Sequence, residues 1–517
     1  MQCFARSKAA RWAAFLLTAL LAAAFAGALA PASAHAQDAA HSPCIATVEQ
    51  RAAYAADGTL DEREAFQESL GNDEPSPGLV QQALAREQAQ NGIAPNAVPG
   101  DDGGMAAIGN AHVVALRVSF PDRPFAEGDT LEALQTLIGP RAVGEAALPS
   151  AGGFPYENLH DYYLRASYGA LTVTGEAFDY AAQHERDFYT ANIGQLYKEA
   201  LDHLEASGID LARFDANGDG RIDAVYLHFA GGDTGWGSVW WSNEQVLDVP
   251  DAVYADGTVR LWNAVALSNP CDQPWAAQTI IHETGHVLGL PDYYQYASQQ
   301  GGSTDRTGIL TFDIMMQNQG DHNGFSKWML GWLPDSKITR IFANETGIDV
   351  KRDGKVVQHV DATADGSSSV EAALEAFASN DIDETGGIVV VANQDASMFS
   401  SYYLLQYDRF AGNQSVRYEQ DGQPAELPSG FRLFRVQADL GSGGPYFVHS
   451  NTYGTVHNQL IELVDPDMNE PHAESTDLVP AAIGSREYGC MLYAGDEVSP
   501  RGYPSTNFFE NANVGFT

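Results

Sequence analysis

The chain has 517 residues, with 68 acidic side chains against 28 Lys and Arg and a formal charge of −40. That balance excludes nucleic acid as a natural partner, because gripping a phosphate backbone needs basic surface. It favours solubility and suits cation binding, and the length calls for two or three domains rather than one core.

The amino terminus reads as a secretory signal. Arg6, Lys8 and Arg11 precede an apolar stretch over 12–30, and Ala34-His35-Ala36 fits the small-x-small cleavage rule. The signal peptide is therefore expected over 1–36, with the mature chain starting near Gln37; an uncleaved membrane anchor is the alternative reading. No later stretch is long and apolar enough to span a bilayer, so the expectation is a secreted, extracellular protein with no stable membrane insertion after signal removal. Cys3 leaves with the signal, and Cys44, Cys271 and Cys490 remain. An oxidising exterior permits one disulfide among three thiols, Cys271 to Cys490 being one pairing; Cys44 is alternatively a thiolate cap on a metal in a latent precursor.

Residues 37–107 are rich in Ala, Glu and Gln, with helical runs at 47–56 and 61–70 and then a turn-rich stretch that ends in Asn96-Ala97-Val98-Pro99-Gly100-Asp101-Asp102-Gly103-Gly104. This reads as a propeptide, or else as an N-terminal helical lobe that is retained, followed by a linker. The character changes in 108–340. A β-branched run at 112–120 predicts a buried strand, and helical patterns at 158–167 and 193–205 alternate with strands at 171–173 and 224–229. A further helix covers 275–288. Alternation of this kind places 108–340 in the α/β (α+β) class. Residues 341–517 are dominated by strands, at 387–391, 402–407, 431–436 and 459–464, separated by Gly-, Ser-, Asp- and Asn-rich segments. That spacing predicts a β-rich, sandwich-like C-terminal domain.

The helix at 275–288 carries the chemistry. His282-Glu283-Thr284-Gly285-His286-Val287-Leu288-Gly289-Leu290-Pro291-Asp292 puts two imidazoles one turn apart on one face, within reach of one metal ion. Gly289 permits a sharp turn that returns Asp292 as a third ligand. Three protein ligands and an open fourth position describe a catalytic zinc. Glu283 stands beside the metal as general base for a metal-activated water, which points to a zinc-dependent hydrolase acting on peptide bonds. Glu244 and His322 remain competitors for the third ligand position. Downstream, Phe312-Asp313-Ile314-Met315-Met316 offers a methionine turn, with Met315 the better candidate for a hydrophobic floor beneath the ligands.

Together these motifs resemble the immune inhibitor A-like family of secreted bacterial metallopeptidases, which carries His-Glu-x-Gly-His-x-Leu-Gly-Leu-Pro-Asp, an Asp-Ile-Met turn and a later Leu-Gly-Trp run. The matches here are His282–Asp292, Asp313–Met315 and Lys327-Trp328-Met329-Leu330-Gly331-Trp332-Leu333, with Asp161–Gly169 similar to an upstream "YY-x-x-x-SYG" element. Thr284 and Phe312 depart from the aromatic residues usual in the family. The resemblance implies a metzincin-like zinc endopeptidase, with His282, His286 and Asp292 as ligands and Glu283 as base; the propeptide reading of 37–107 adds that it is made as a zymogen. Its partners would be protein or peptide substrates.

A second constellation, Asp215-Ala216-Asn217-Gly218-Asp219-Gly220-Arg221-Ile222-Asp223, spaces oxygen ligands like the first half of a calcium loop. Its twelfth position is Tyr226 rather than Glu, so the expectation is a structural Ca2+ held by Asp215, Asn217, Asp219 and Asp223 with another acid. The alternative is a turn whose Asp and Asn side chains bond local backbone. Trp236, Trp240 and Trp241 read equally as a cleft wall or as core. For the oxyanion of the tetrahedral intermediate, Tyr293, Tyr294, Tyr296 and His322 are the available donors. The rival to the enzyme is a secreted binding or adhesion protein built on a peptidase fold, with little or no turnover.

Overall fold

Among the described residues of the computed structural model, three helices precede the first strand: α1 (Val48–Asp57), α2 (Leu60–Leu70) and α3 (Pro77–Gln90). The residues described are, with short gaps, 46–90, 104–140, 158–296, 309–370 and 386–464. The expected signal peptide, Cys44, Cys490, Phe312, most of the linker and the last residues of the chain lie outside them. All described residues belong to one unit that runs from Pro43 onward. Helix α3 is a helix the sequence reading passed over. Its Leu79, Val80 and Ala83 are buried in the same cluster as Ile280 and Ile281 of the helix that carries His282 and His286. Arg86 donates to the Met329 carbonyl, and Glu87 accepts from the Met398 amide.

Strand β1 (Gly109–Ser119) is buried on both faces from Val113 to Leu116, as a strand inside a parallel sheet must be. Its alternate residues feed two cores. Val113 and Ala115 join the core around α5 (Leu159–Ala166), together with α4 (Leu131–Ile138). Val114, Leu116 and Val118 face the opposite core, built on α7 (Ile193–Ala206) and the short α6 (Arg186–Tyr189). Strand β2 (Leu171–Ala181) pairs with β1 over its whole length, far beyond the three residues expected, because its half-exposed, partly polar C-terminal half hides the alternation. Next come β3 (Val225–Phe229), β4 (Asn243–Val246), the short pair β5 (Val253–Tyr254) and β6 (Val259–Arg260), and β7 (Asn263–Leu267). The sheet order is β2-β1-β3-β7-β4, parallel throughout except for β4, which runs antiparallel along the edge.

Helix α8 (Ala276–Val287), the one-turn α9 (Ile314–Gln317) and α10 (Gly324–Leu330) lead into the strand-rich half. There β8 (Ile338–Ala343), β9 (Gly347–Arg352), β10 (Lys355–Asp361), β11 (Ile388–Ala392), β12 (Ser401–Asp408), the hairpin β13 (Arg417–Gln420) and β14 (Gln423–Glu426), β15 (Gly430–Gln437) and β16 (Ile461–Leu463) follow. Seven of these strands form one mixed sheet, β10-β9-β8-β11-β12-β15-β16, with β8 and β11 its parallel pair. One face of this sheet packs on the first core: Ile388, Val390, Tyr402, Leu404, Phe434 and Val436 cluster with Met315, Phe325 and Met329. The alternate residues Ile341, Val389, Val391, Tyr403 and Leu433 form a buried cluster on the other face. At Gly324 a methyl group would come within 2.6 Å of Ile388, and the Gly324 amide donates to Gln406 Oε1 at 2.8 Å. A strand pattern reports that one face is buried, not what buries it. The architecture is mixed α and β, as expected. No helix among the described residues is long and apolar enough to cross a membrane.

Candidate metal centre

Helix α8 is buried along its entire length. It ends where Gly289 adopts φ +88°, the left-handed conformation that the spacing had required of a glycine. The turn beyond brings Asp292 back against His282 and His286, and these three residues form a group that can hold a metal ion. Neither Glu244 nor His322 joins it, so Asp292 is the third member among the described residues.

The protonation logic of this group is its most informative property. His282 Nδ1 lies 2.7 Å from the Ile314 carbonyl, and His286 Nδ1 lies 2.8 Å from the Leu290 carbonyl. A carbonyl only accepts, so each Nδ1 carries a hydrogen, and in the neutral ring each Nε2 presents a lone pair. Those two Nε2 atoms are 3.1 Å apart, and they stand 3.0 and 3.4 Å from Asp292 Oδ1. Three acceptors thus converge with no donor among them. Ligands held at about 2.0 Å around a tetrahedral zinc are spaced roughly 3.3 Å apart. The donor set and its spacing fit a bound zinc.

Surrounding residues fix these three side chains. Tyr296 donates to Asp292 Oδ2 at 2.6 Å, which leaves Oδ1 turned toward the histidines. The methionine turn holds His282 through the Ile314 carbonyl and accepts the Tyr293 amide at the Met315 carbonyl. Asp313 caps that turn, accepting from the Met315 amide at 2.8 Å and from Asn323; burial pushes its carboxyl up to about 6. The Met315 sulfur lies directly under α8: a methyl group built on Gly285 would be 2.2 Å from it. Gly285 is thus the residue that lets the methionine floor approach, and Met315 rather than Met316 takes that place. Thr284, one of the departures from the family pattern, bridges the Tyr226 hydroxyl of β3 at 2.7 Å and the Ile280 carbonyl at 2.6 Å.

The centre is covered. His282, Glu283, His286 and Asp292 are 1, 2, 7 and 1% exposed. Part of the cover is the segment between α2 and α3. The Asp292 amide donates to the Asn72 carbonyl at 2.8 Å, and the Ser76 amide donates to the Gly289 carbonyl at 2.9 Å. The Asn72 side chain donates to the Glu244 carbonyl on edge strand β4 at 3.1 Å. Asp73, half-buried nearby, is pushed up in pKa by burial and by Asp292 and Glu68. These contacts span more than half the described chain, and no motif announces them.

The remaining sequence candidates lie as follows. Glu244 is buried on β4 with its carboxyl pushed up to about 8 by burial. His322 sits behind α8 beside Met315, boxed by Tyr162, Tyr163 and Trp332 at 5.5 to 5.9 Å; burial drives it far below the usual histidine range, so it is neutral. Tyr293 is bound to Ser326 at 2.7 Å, whereas the Tyr294 ring lies against His282, with centroids 6.5 Å apart. Trp240 belongs to the core on the α7 face, packed on Phe120 and Phe229. Trp236 and Trp241 cluster with Ala46 and Tyr54 of the N-terminal lobe.

The Asp215–Asp223 loop presents the opposite picture from the metal group. Asp215 accepts the amides of Gly218, Asp219 and Gly220, and Asn217 Oδ1 accepts from Asp219. Asp219 accepts from Arg221 and from Gly104, and Asp223 accepts from Ala216 and His112. Of the two readings of this loop, the structure displays the local backbone bonds. These acids are also not among the described groups whose ligand atoms converge.

No protein-family model matches the chain, and comparison with curated proteins returns no relative.

Proposed function

We propose that the chain is a secreted zinc-dependent endopeptidase of the immune inhibitor A-like, metzincin-like type, with zinc held by His282, His286 and Asp292. The observation that carries this reading is the convergence of three acceptors, two of them with their tautomer fixed by backbone carbonyls. Bound there, zinc would polarise a scissile carbonyl and lower the pKa of a water in its open position to roughly 7. Glu283 follows His282 on α8, and its role is to accept the proton of the attacking water and return it to the leaving amine. Tyr294, ring against ring with His282, is the favoured oxyanion donor of the four considered.

Strand β4 offers the substrate its place. It is the antiparallel edge of the five-stranded sheet and packs beside α8, so an extended peptide can add to it as a further strand. Asn72 already occupies that edge at Glu244, which supports reading the N-terminal lobe as a propeptide and the covered form as a zymogen. The rival, a binding or adhesion protein on the same fold, is favoured by no specific contact. A proteome-derived peptide library separates the two readings. Cleavage that a chelator abolishes and added zinc restores, after limited proteolysis in the 91–103 linker, is expected. A fully metal-loaded, nicked chain that cleaves nothing would favour the rival.

Calcium forms no part of this reading, because the Asp215–Asp223 carboxylates already accept main-chain amides.

A further inference from the structure

A second convergence of ligand atoms lies apart from the first. Asp129, just ahead of α4, His228 at the end of β3, and Cys271, in the segment between β7 and α8, bring one ligand atom each to within 4.8 Å of one another. All three are buried, at 6, 1 and 1% exposure, and Cys271 enters as a thiol. His228 Nδ1 is 3.3 Å from the Leu267 carbonyl on β7, and Nε2 is 2.7 Å from Asp129 Oδ2. Phe125 stacks on the ring at 5.2 Å and fixes its plane. The second carboxylate oxygen, Asp129 Oδ1, is buried with no hydrogen-bond partner. A buried carboxylate oxygen left without a partner is costly and calls for an ion or a water.

We propose that Asp129, His228 and Cys271 form a second metal site, taking a thiophilic divalent ion such as zinc in a structural role. The charges balance on both sides. Without metal, one proton lies between His228 Nε2 and Asp129 Oδ2, and a second sits on the Cys271 sulfur. A divalent ion displaces both, forming bonds to nitrogen, oxygen and sulfur, so that one thiolate and one carboxylate neutralise it and two protons leave to solvent. The 2.7 Å contact between His228 and Asp129 is a proton-sharing distance and must open toward the spacing seen at His282, His286 and Asp292 as the ion enters. The fourth position would fall to a water, and the structural role is argued from the three separate segments that the ligands join. The three ligands come from the β1–α4 connection, the end of β3 and the lead into α8. An ion there would pin the start of the metal-binding helix to the central sheet.

Cobalt distinguishes this site from the first, because His282, His286 and Asp292 contain no sulfur. The full chain is stripped with chelator, reloaded with Co2+ and examined for the thiolate-to-cobalt charge-transfer band in the near ultraviolet. The expected result is two cobalt ions per chain with the band, and one ion without it in Cys271→Ser. Asp129→Asn, which preserves shape, should weaken binding of the band-forming ion at least tenfold, and the band should survive Cys44→Ser and Cys490→Ser. Absence of the band from the unaltered chain, its persistence in Cys271→Ser, or unchanged affinity in Asp129→Asn would each overturn the proposal. A chain that takes one cobalt without the band retains the His282 centre and loses this one, so the two readings fail separately.

Discussion

Two regions of this chain carry the residue spacings of metal sites, and their hydrogen-bond polarity separates them. At His282, His286 and Asp292 acceptors face acceptors, because backbone carbonyls have taken the only ring hydrogens and Tyr296 has taken the other carboxylate oxygen. At Asp215–Asp223 acceptors face donors, each carboxylate being met by main-chain amides. The first arrangement is repulsive without a cation. The second is complete as a turn. Spacing alone therefore nominates a site, and the count of unmatched acceptors decides between candidates.

The comparison can be broken in several ways. The largest effect is expected from His286→Ala, which leaves two ligands: bound metal at this centre and peptide hydrolysis should both be lost, as metal analysis and a cleavage assay would read. Gly285→Ala comes next. Its methyl group meets the Met315 sulfur, and Met315 is itself fully buried with nowhere to retreat. Overpacking of this kind costs about 1–3 kcal/mol, and Gly285→Ala with Met315→Ala should recover part of the lost melting temperature.

A smaller effect concerns pH. Burial raises Glu244 to about 8 in the folded chain, above its ordinary value of 4.5, so the folded state holds a proton that the unfolded state has released. The contribution of this group to stability is full below pH 4.5, falls as pH rises through 8, and is flat beyond. Glu244→Gln should flatten the decline in melting temperature between pH 5 and 8; an identical slope in both proteins would remove Glu244 as its source. The smallest effect is a null one. Calcium added to the chelator-stripped chain should leave the melting temperature unchanged, because the loop oxygens are already bonded, and a clear rise would restore calcium to Asp215–Asp223.

The legible parts of the site were the local ones. Two histidines one turn apart, a glycine that must turn and a methionine after Asp-Ile all act within a few residues of one another, so their spacing is their geometry. Strands β1, β3, β12 and β15 were legible for the same reason, as runs of apolar and β-branched residues. What escaped was non-local or weakly patterned. Helix α3 opens with Pro77 and Gly78 and carries Gln81 and Gln82 between its buried Val80 and Ala83, so its periodicity is faint. The Asn72 contact to Asp292 joins residues with no motif between them. For the seven-stranded sheet the strands were legible, but the packing of one face on α10 and on the core beneath α8 was not, because a strand pattern reports burial and not the covering layer. Tyr296, four residues beyond Asp292, offers an oxyanion donor by its type; in the fold its hydroxyl donates to Asp292 Oδ2 and orients that carboxylate.

The central claim is that Glu283 acts as a base beside a metal held by His282, His286 and Asp292. Its most direct test compares the unaltered chain with Glu283→Gln for zinc content and for the rate of peptide cleavage in the same preparation. Equal zinc content with cleavage reduced about a hundredfold to ten-thousandfold is the predicted result. Cleavage at the native rate by the zinc-replete variant would contradict it.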